Sequence, residues 1–575
     1  MTTLYSPGRI GGVEIPNRVV MPSMTTRLPD DEGHATDATT AYYKARAVGG
    51  VGLITVEMAS PERVGRHRAR ELGIYDDRFL PGLTRLTGKL HACGAKVSIQ
   101  LGHGGGHTRE DICGEPPIAP SAIPHPVYEV TNETIVPVEM TTTRIEQTTQ
   151  AFVDAARRAQ QAGFDCVELH AAHGYLISQF LCPEENRRTD EYGGPLENRA
   201  RFGLDILRRI KSEVTGLPVI FRFSADDLFP TGLQFSEGIQ VADWAEAAGA
   251  DAIHVSAGHY RSLPSGAVMI PPMSYPDATF LDYATRIKAV VDVPVISVGR
   301  LGDPATAEGV VASGKADFVA LGRSLVADAE WVKKARHGMA IRRCLACNTC
   351  VDDMRAGNRL GCLVNPTAGR ELEFASASPP KGESICVVGA GPAGLSYAEL
   401  VAEGNEVTVI DRARESGGAF RYAGKAPLFQ DVEAMEESLM TFIGELERAC
   451  RDKGVEFRYG VDIARAPEVL EPFDRIVFAA GARYQFGLGS VVPRILDTGW
   501  GRSALFRRLF SSKRLREWFY YRARRSTGAG LAGLARSGQR VVVIGDAVRA
   551  GKAKEAIASA FQAALAVGPS GPDTL

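Results

Sequence analysis

Short apolar, β-branched runs recur along the first 340 residues, and each is bounded by polar residues or glycine. Helix-length segments such as Glu146–Ala162 separate them. We predict eight strands: Val19–Met21, Gly52–Val56, Lys96–Leu101, Cys166–Leu169, Val219–Phe223, Ala252–Val255, Val295–Val298 and Phe318–Leu321. Strands that alternate with helices form parallel sheets, and eight such units in about 300 residues predict a closed TIM (β/α)8 barrel over residues 1–340.

Nearly every predicted strand is followed by at least one side chain that can form hydrogen bonds or carry charge. In barrels of this kind the catalytic groups lie where the strands end, at the carboxyl-terminal face. The residues that follow the runs include Thr25, Ala59, Gln100, His170, His173, Arg222, His259, Gly299, Arg300, Gly322 and Arg323. Glycine with arginine after strands seven and eight marks the usual phosphate site of such barrels. The sequence therefore predicts a phosphate-bearing cofactor on this face.

Four of the ten cysteines fall within 19 positions, and the other six are scattered. Closely spaced thiolates are the usual ligands of iron–sulfur clusters, and a structural zinc ion is the alternative. Three of the four crowd one turn here, whereas zinc frameworks more often place two pairs on separate knuckles. We predict a [4Fe–4S] cluster in a segment of residues 341–380, with zinc as the open alternative. The proposed ligands are Cys344, Cys347, Cys350 and Cys362.

A dinucleotide-binding pattern follows a small, polar, proline-bearing linker. The run Ser384–Val388 predicts a strand, and the glycine-rich turn Gly389–Gly394 comes directly after it. A helical segment and a second strand, Glu406–Ile410, lead to Asp411. Glycines at such a turn let the backbone approach a pyrophosphate at a helix N-terminus, and the acid binds ribose hydroxyls. We predict a Rossmann-like domain over residues 381–481 and 537–575.

The stretch between these two parts, residues 482–536, is too short for a second dinucleotide-binding domain. Its glycine-rich piece, Gly528–Gly533, has no strand before it, and we interpret it as a flexible linker. The segment Arg502–Arg525 carries nine Lys/Arg, one acidic residue and several leucine and aromatic side chains. This pattern predicts a basic amphipathic helix or helix pair. It fits solvated helices, a docking surface for an acidic electron-carrier protein or, as a lesser alternative, a membrane interface.

One stretch of more than thirty residues closely resembles a known enzyme family. The pieces His170–Leu181, Asn186–Gly194 and Glu197–Phe202 are similar to the signature of the old yellow enzyme family, which comprises FMN-dependent barrels that reduce activated carbon–carbon double bonds. The whole chain resembles the multidomain branch, with its 2,4-dienoyl-CoA reductases, 2-enoate reductases and trimethylamine dehydrogenase. These add an iron–sulfur cluster and a flavoprotein-reductase-like region, whose nicotinamide domain is shortened here.

The resemblance implies a role for each matching position. His170 and His173 would donate hydrogen bonds to a substrate carbonyl oxygen. Tyr175 would protonate the α-carbon, and His259 would act as a second acid. The residues that would bind FMN are Pro22, Met24, Thr25, Ala59, Gln100, Arg222, Gly299, Arg300, Gly322 and Arg323. The residues that would bind FAD, or ADP as an alternative, are Gly389, Gly391, Gly394, Asp411, Arg412, Gly418, Gly481, Gly545 and Asp546.

These features favour a flavin- and iron–sulfur-dependent oxidoreductase. The expected reaction is reduction of an enoate, enone or 2,4-dienoyl-CoA by hydride transfer from FMN. The alternative is an amine dehydrogenase or demethylase that passes electrons from FMN through the cluster to an external carrier. NAD(P)H is a candidate reductant.

Composition narrows the setting of this chemistry. A net charge of −2 and a pI near 6.6 give no reason to expect nucleic acid or lipid as a partner. The N-terminus lacks the basic and apolar regions of a signal peptide, and no apolar run has membrane-spanning length. Four cysteines are clustered and the other six stand singly, a distribution that suits a reducing compartment. We expect a cytoplasmic homo-oligomer that acts on a small unsaturated carbonyl or acyl-CoA substrate.

Overall fold

The structure is a computed structural model, and it describes residues 2–125, 135–425, 434–485, 494–495, 498–500 and 503–566. The backbone divides into two units, residues 1–360 and 361–575. The predicted cysteine segment 341–380 is therefore divided between them, because Cys362 belongs to the second unit and the three other cysteines to the first. Within the described residues, no helix is both long enough and apolar enough to cross a membrane.

Eight parallel strands form the wall of a closed barrel in the first unit. They are β1 (Val19–Met21), β2 (Leu53–Ser60), β3 (Lys96–Leu101), β4 (Cys166–Ala171), β5 (Val219–Ser224), β6 (Ala252–Ser256), β7 (Val295–Val298) and β8 (Phe318–Ala320). Each strand pairs with the next, and the ring closes where Val319 of β8 lies opposite Val19 of β1. The eight predicted strands and the predicted barrel are confirmed.

Helices connect successive barrel strands, and two further helices follow β8. They are Asp37–Val48, Leu80–His91, Thr142–Gln161, Leu196–Glu213, Phe235–Ala247, Leu281–Lys288, Pro304–Ala312, Arg323–Ala327 and Trp331–Arg336. The longest begins at Thr142, four residues before the predicted Glu146, because the Thr141 hydroxyl accepts from the backbone N–H of Arg144 over 3.1 Å. Such a cap satisfies an otherwise orphaned amide and therefore decides where the helix begins.

A hairpin closes the amino-terminal end of the barrel. Its strands, Gly8–Ile10 and Val13–Ile15, pair antiparallel. Ile10 and Ile15 are fully buried against β-strand side chains such as Ile220 and Ile296. Burial of such side chains stabilises the fold by about 1.5–3 kcal/mol each. The opposite, carboxyl-terminal end is left for the loops that carry the site.

Short elements shape those loops. They are the strands Leu72–Gly73, Ile118–Ala119 and Val138–Glu139, the 3₁₀ turns Arg63–Gly65 and Asp77–Phe79, and the helices Glu110–Cys113, Leu176–Leu181, Leu263–Val268 and Thr349–Arg355. The helix Leu176–Leu181 begins directly after Tyr175 and is wholly buried. Its burial fixes the backbone on which Tyr175 stands.

The second unit is built on a five-stranded parallel sheet. Its strands are β9 (Ser384–Val388), β10 (Glu406–Asp411), β11 (Glu456–Tyr459), β12 (Arg475–Phe478) and β13 (Arg540–Val543), in the order β11-β10-β9-β12-β13. This order is that of a Rossmann-like fold, which confirms the predicted fold class. Its helical segments are Glu371–Phe374, Pro392–Val401, Gly418–Tyr422, Glu436–Asp452, Pro467–Leu470, Gly545–Ala547 and Ala553–Leu565.

The described residues of the insertion between β12 and β13 include several short elements. They are the strands Ala482–Tyr484 and Arg524–Ser526, the helices Ala504–Phe510 and Lys513–Glu517, a π-turn over Trp518–Arg522 and the helix Gly528–Ala532. The interpretation of Gly528–Gly533 as a flexible linker is wrong. Leu531 and Ala532 pack against the apolar core of the sheet, and a Cβ at Gly528 would lie only 2.4 Å from Val543. Glycine is therefore needed there for close packing.

Candidate active site and cofactor sites

Three aromatic side chains converge at the carboxyl end of β4. The His170 ring centroid lies 5.3 Å from that of His173 and 4.7 Å from that of Tyr175. His173 is left-handed, with φ of 67°, and its backbone N–H donates to Ser224 Oγ over 3.0 Å. That bond to the end of β5 holds an otherwise unfavourable backbone conformation. The structure thus brings together the three residues predicted to handle the substrate carbonyl and its proton.

Burial decides the protonation of these groups. It lowers the pKa of His170 and of His173 well below the usual range, and the neighbouring Arg222 guanidinium adds to the effect. Burial raises the pKa of the Tyr175 phenol, which the adjacent Arg68 opposes. At neutral pH the site therefore holds two neutral imidazoles and a protonated phenol. Nδ1 of His170 is buried and has no hydrogen-bond partner among the described residues, so it is an atom that a ligand would satisfy.

Sequence reasoning missed a second histidine that faces the phenol. Nε2 of His67 lies 3.0 Å from the Tyr175 hydroxyl and accepts from Arg68 Nε over 2.8 Å. Nδ1 of the same ring lies 2.5 Å from Glu71 Oε2, and both side chains are 2% exposed. This carboxylate–imidazole–phenol series orients the ring and provides a path for a proton. We call His67, Arg68, Glu71 and Tyr175 the phenol relay.

A buried charge network lies beneath the aromatic group. Glu168 Oε1 accepts from Gln100 Nε2 over 2.7 Å, and its Oε2 lies 2.6 Å from His254 Nδ1. Burial alone would raise the pKa of Glu168, but His254, Arg222 and Gln100 together lower it. Arg222 Nη1 lies 3.8 Å from the same carboxylate, yet Arg222 Nε is buried with no partner among the described residues. An unsatisfied cationic donor fits the electron-rich edge of a flavin ring.

The positions predicted to contact the flavin ring lie on β2 and β3 and directly after β1. Ala59 is buried in β2, Gln100 in β3, and Thr25 and Met24 follow β1 as half-buried residues. A Cβ on Gly322 would lie 3.0 Å from Met24 Sδ and 3.5 Å from Pro22. The rim residues after β1 and β8 are therefore close neighbours, as a single cofactor that spans this rim requires.

The arginines predicted to hold phosphate have protein partners in this structure. Arg300 has φ of 56° after Gly299 at 114°, and its Nη2 lies 2.8 Å from Asp277 Oδ1. Arg323 donates to the Pro271 carbonyl over 2.7 Å and to Asn348 Oδ1 over 2.5 Å. Backbone amides at such a left-handed turn are suited to an anion. The phosphate role of Gly299, Arg300, Gly322 and Arg323 stays a prediction.

The cysteine segment of the first unit packs against this same rim. Met273 N donates to the Ala346 carbonyl over 3.0 Å, and Arg27 Nε donates to the Met354 carbonyl over 2.9 Å. Burial raises the pKa of the Cys344 and Cys350 thiols, the latter to about 12, while the nearby Arg323 lowers both. A cation beside thiols favours their ligating, thiolate form.

Among the described residues, one group of three potential metal ligands lies within 4.8 Å of one another: Cys182, Asp227 and His259. It does not include any of the cysteines predicted to hold a cluster. His259 Nε2 also lies 3.5 Å from Glu185 Oε2, and its Nδ1 accepts from the backbone N–H of Arg261 over 3.0 Å. Burial lowers the pKa of His259 to about 3. Its predicted role as a second acid stays a prediction.

The glycine-rich turn after β9 has the geometry of a pyrophosphate site. Gly389 is left-handed at φ of 116°, and a Cβ on Gly394 would meet the Gly389 carbonyl at 1.9 Å. Around Gly391, by contrast, a Cβ meets no atom within 4 Å. The first and third glycines thus serve the turn and the close packing, and the second leaves space for a ligand. Asp411 Oδ2 accepts from Ala390 N over 2.7 Å, so the acid lies beside this turn.

The other predicted FAD residues lie around the same sheet edge. Gly418 lies beside Gly391, with its would-be Cβ 3.4 Å from the Gly391 Cα. Arg412 is exposed after β10. Asp546 forms an ion pair with Arg524, and Thr527 Oγ1 donates to the Gly481 carbonyl over 2.7 Å. Gly545 N donates to Ser559 Oγ over 2.6 Å.

Comparison with known proteins assigns both units. The description of the NADH:flavin oxidoreductase / NADH oxidase family matches residues 3–341, and that of an NAD(P)-binding Rossmann-like domain matches residues 387–426. An NADH oxidase of Thermoanaerobacter brockii is 41% identical over 502 residues, which cover 86% of this chain and 74% of that protein. A cinnamate reductase of Clostridium sporogenes is 33% identical over 507 residues, covering 83% and 74%.

A solved structure of a 2-naphthoyl-CoA reductase complex has the same fold. It superposes with a TM-score of 0.87 over 99% of this chain and 100% of that one, at 23% sequence identity. The resemblance first drawn from the His170–Phe202 stretch is confirmed, and so is the multidomain architecture. Because the family description matches residues 3–341, more than half of the chain, the chain belongs to the NADH:flavin oxidoreductase / NADH oxidase family.

Proposed function

We propose that this oxidoreductase reduces an activated carbon–carbon double bond of an enoate, enone or 2,4-dienoyl-CoA. The observation that carries the proposal is the convergence of His170, His173 and the phenol relay on one end of the barrel. The similarity to a cinnamate reductase supports the substrate class, because cinnamate is an enoate. The matched family supports the flavin.

The two imidazoles would bind the substrate carbonyl oxygen. Both are neutral, so each can donate one N–H without placing a full charge beside Arg222. His173 Nε2 is already 2.7 Å from Ser256 Oγ, which fixes the ring. Donors preset in this way stabilise the negative charge that develops on the oxygen when the β-carbon accepts a hydride, and removing one such donor typically costs about 10²–10³ in rate.

Tyr175 would donate the proton that the α-carbon needs. Loss of that proton leaves a phenolate, which the Arg68 guanidinium beside it would stabilise. The His67–Glu71 pair takes up a proton and returns it to the phenol oxygen through the 3.0 Å contact of His67 Nε2. General acids of this kind contribute about 10²–10⁴ in rate.

FMN fits the barrel rim, and the residues that would hold it are those predicted, with Arg222 Nε as the unsatisfied donor. When bound, FMN supplies the hydride. FAD fits the second unit through the open space at Gly391 and the neighbouring Asp411. ADP remains the alternative there. The FAD assignment goes beyond the matched Rossmann-like domain and is part of this proposal.

An iron–sulfur cluster is our choice over zinc for the cysteine segment. Cys344, Cys347 and Cys350 follow one another at intervals of three positions, and Cys362 comes after eleven more residues. Structural zinc sites more often place two pairs of cysteines on separate knuckles. Three thiols in one short segment therefore support a cluster, which when bound would pass single electrons.

Amine oxidation is the second candidate, and one observation favours it. Glu185 is buried, and its Oε2 has no hydrogen-bond partner among the described residues. Burial raises the pKa of this carboxyl to about 8. A cationic substrate amine would satisfy such a group. The phenol relay would then act as a base, because a proton path serves either direction.

One experiment separates the two. The anaerobic holoenzyme is reduced with dithionite and mixed with cinnamate in D₂O, and the product is analysed for deuterium. Reoxidation of the flavin with one deuterium at the α-carbon supports double-bond reduction. The opposite result has two parts: N,N-dimethylglycine bleaches the oxidised flavin, and neither an enoate nor an enone reoxidises the reduced flavin. That result would replace the first proposal by the second.

A further inference from the structure

A group of cations is concentrated on the residues inserted between β12 and β13. The helices Ala504–Phe510 and Lys513–Glu517 carry most of them. Glu517 is the single acidic residue between Ser503 and Ser526. We call the following exposed side chains the basic surface: Arg507, Arg508, Lys513, Arg514, Arg522 and Arg525. Since the whole chain has a net charge of only −2, this local excess is a distinct feature.

Apolar side chains lie exposed among these cations. Leu505 and Leu509 stand one helical turn apart and are 67% and 47% exposed, and Trp518 is 40% exposed. The opposite side of the helix is anchored, since the Phe510 ring packs edge-on against Phe519 with centroids 5.1 Å apart. An apolar centre inside a rim of one charge sign is the usual composition of a protein-docking surface.

The basic surface is tied to residues predicted to bind FAD. It lies between two strands, Ala482–Tyr484 and Arg524–Ser526, which pair antiparallel. The first strand directly follows Gly481. The second begins with Arg524, which forms an ion pair with Asp546. This pair of strands therefore connects the basic surface to residues of the predicted flavin pocket.

We propose that the basic surface docks an acidic electron-carrier protein of the ferredoxin or flavodoxin class. The inference rests on the proposed FAD site. Charge complementarity selects an acidic partner, because opposite potentials steer association and like charges are rejected. The antiparallel strand pair that joins the surface to Gly481 and Asp546 selects a redox partner among acidic proteins. Helices of seven and five residues favour a protein partner over an anionic lipid surface.

The test measures, by titration calorimetry at low and high ionic strength, how tightly a purified acidic ferredoxin binds the full-length holoenzyme. The test variant carries Arg507→Gln, Arg508→Gln and Arg514→Gln. The control carries Lys381→Gln, Lys453→Gln and Arg465→Gln, which remove the same charge from other exposed positions of the second unit. We expect the test variant to bind at least about tenfold more weakly at low ionic strength, with a flatter salt dependence, and the control to bind as wild type.

Equal affinity of all three proteins would overturn the proposal. A second result would also overturn it: the wild-type protein binds phosphatidylglycerol vesicles but not ferredoxin, and the test variant no longer binds the vesicles. Flavin content and dithionite-driven reduction of cinnamate are measured in parallel, since neither uses the basic surface. If ferredoxin binding depends on these charges but the wild-type enzyme does not reduce cinnamate, the result would contradict the proposed function. It would not contradict the proposed docking surface.

Discussion

The hydroxyl of Tyr175 and Nε2 of His67 lie 3.0 Å apart, although 108 positions separate the two residues in the chain. Tyr175 follows β4, and His67 stands in the loop after β2. The barrel brings both loops to one end, and the Glu71 carboxylate fixes the histidine ring from behind. A phenol placed in this way is set to exchange a proton with a buried imidazole while water is excluded.

Tyr175→Phe is expected to slow the protonation step by about 10²–10⁴. The flavin should still be bound and reduced, because the change removes only the hydroxyl. The measurement is stopped-flow reoxidation of the dithionite-reduced enzyme by cinnamate. Tyr192→Phe, at a half-buried tyrosine of the same loop, is the control and should behave as wild type. Equal rates in the two variants would remove Tyr175 from the mechanism.

Glu71→Gln is expected to shift the alkaline limb of the pH–rate profile to lower pH. The Glu71 carboxylate raises the pKa of both His67 and Tyr175, so its neutralisation lowers both values. Each group then loses its proton at a lower pH. The profile of the reoxidation rate constant across pH measures this. Glu110→Gln, at an acid of another loop of the same unit, should leave the profile unchanged, and an unshifted limb in Glu71→Gln would make Glu71 purely structural.

Glu57→Gln is expected to raise the thermal midpoint at pH 8 relative to wild type and to leave it nearly unchanged at pH 5. Burial raises the pKa of Glu57 from 4.5 to about 7, against hydrogen bonds from Thr26. Its stability contribution is therefore fully present below pH 4.5 and is lost as pH rises through about 7, on the order of 3 kcal/mol. Calorimetric scans at the two pH values measure this, with exposed Glu14→Gln as control. A lower midpoint for Glu57→Gln at pH 8 would contradict the expectation.

Cys344→Ser is expected to abolish the visible absorption of an iron–sulfur cluster and to lower iron content, while FMN stays bound. Serine is a poor ligand for cluster iron, and the barrel rim does not depend on the thiol. Metal analysis by mass spectrometry and absorption spectra give the result. Cys93→Ser, at a solitary cysteine of the barrel, should retain full iron. One equivalent of zinc and no iron in the wild-type protein would overturn the cluster.

Gly391→Val is expected to reduce FAD content of the purified protein at least tenfold without unfolding it. The space beside Gly391 is open, so the added side chain clashes with a pyrophosphate and not with the protein. Flavin extraction and chromatography measure FAD and FMN separately, and FMN should be unchanged. Gly444→Val, at an equally open glycine in the helix Glu436–Asp452, is the matched control. Full FAD in both variants would place the nucleotide elsewhere.

The sequence predicted the barrel well because each strand is a short β-branched run followed by a polar residue. Val295–Val298, for example, has the same bounds in the prediction and in the structure. The grouping of His170, His173 and Tyr175 at the end of β4 is also predictable from the sequence, since residues close in sequence remain close in space. The Rossmann-like turn was found for the same reason, as Gly389 to Gly394 is a local pattern.

Other features depend on tertiary contacts and left no local pattern. His67 and Glu71 are four residues apart in an arginine-rich loop, and nothing in that loop points to Tyr175. Gly528 sits in a composition typical of linkers, yet the helix that it begins is fixed by packing on Val543. Long-range packing overrides local propensity in such cases.

Strand β13 has a consequence for how the second unit is made. It is the fifth strand of the sheet and lies beside β12, but 61 residues separate Phe478 from Arg540 in the chain. During translation β12 therefore remains an unpaired edge strand until the residues of β13 have left the ribosome. A transcript truncated within the insertion would yield a protein whose second unit is prone to self-association.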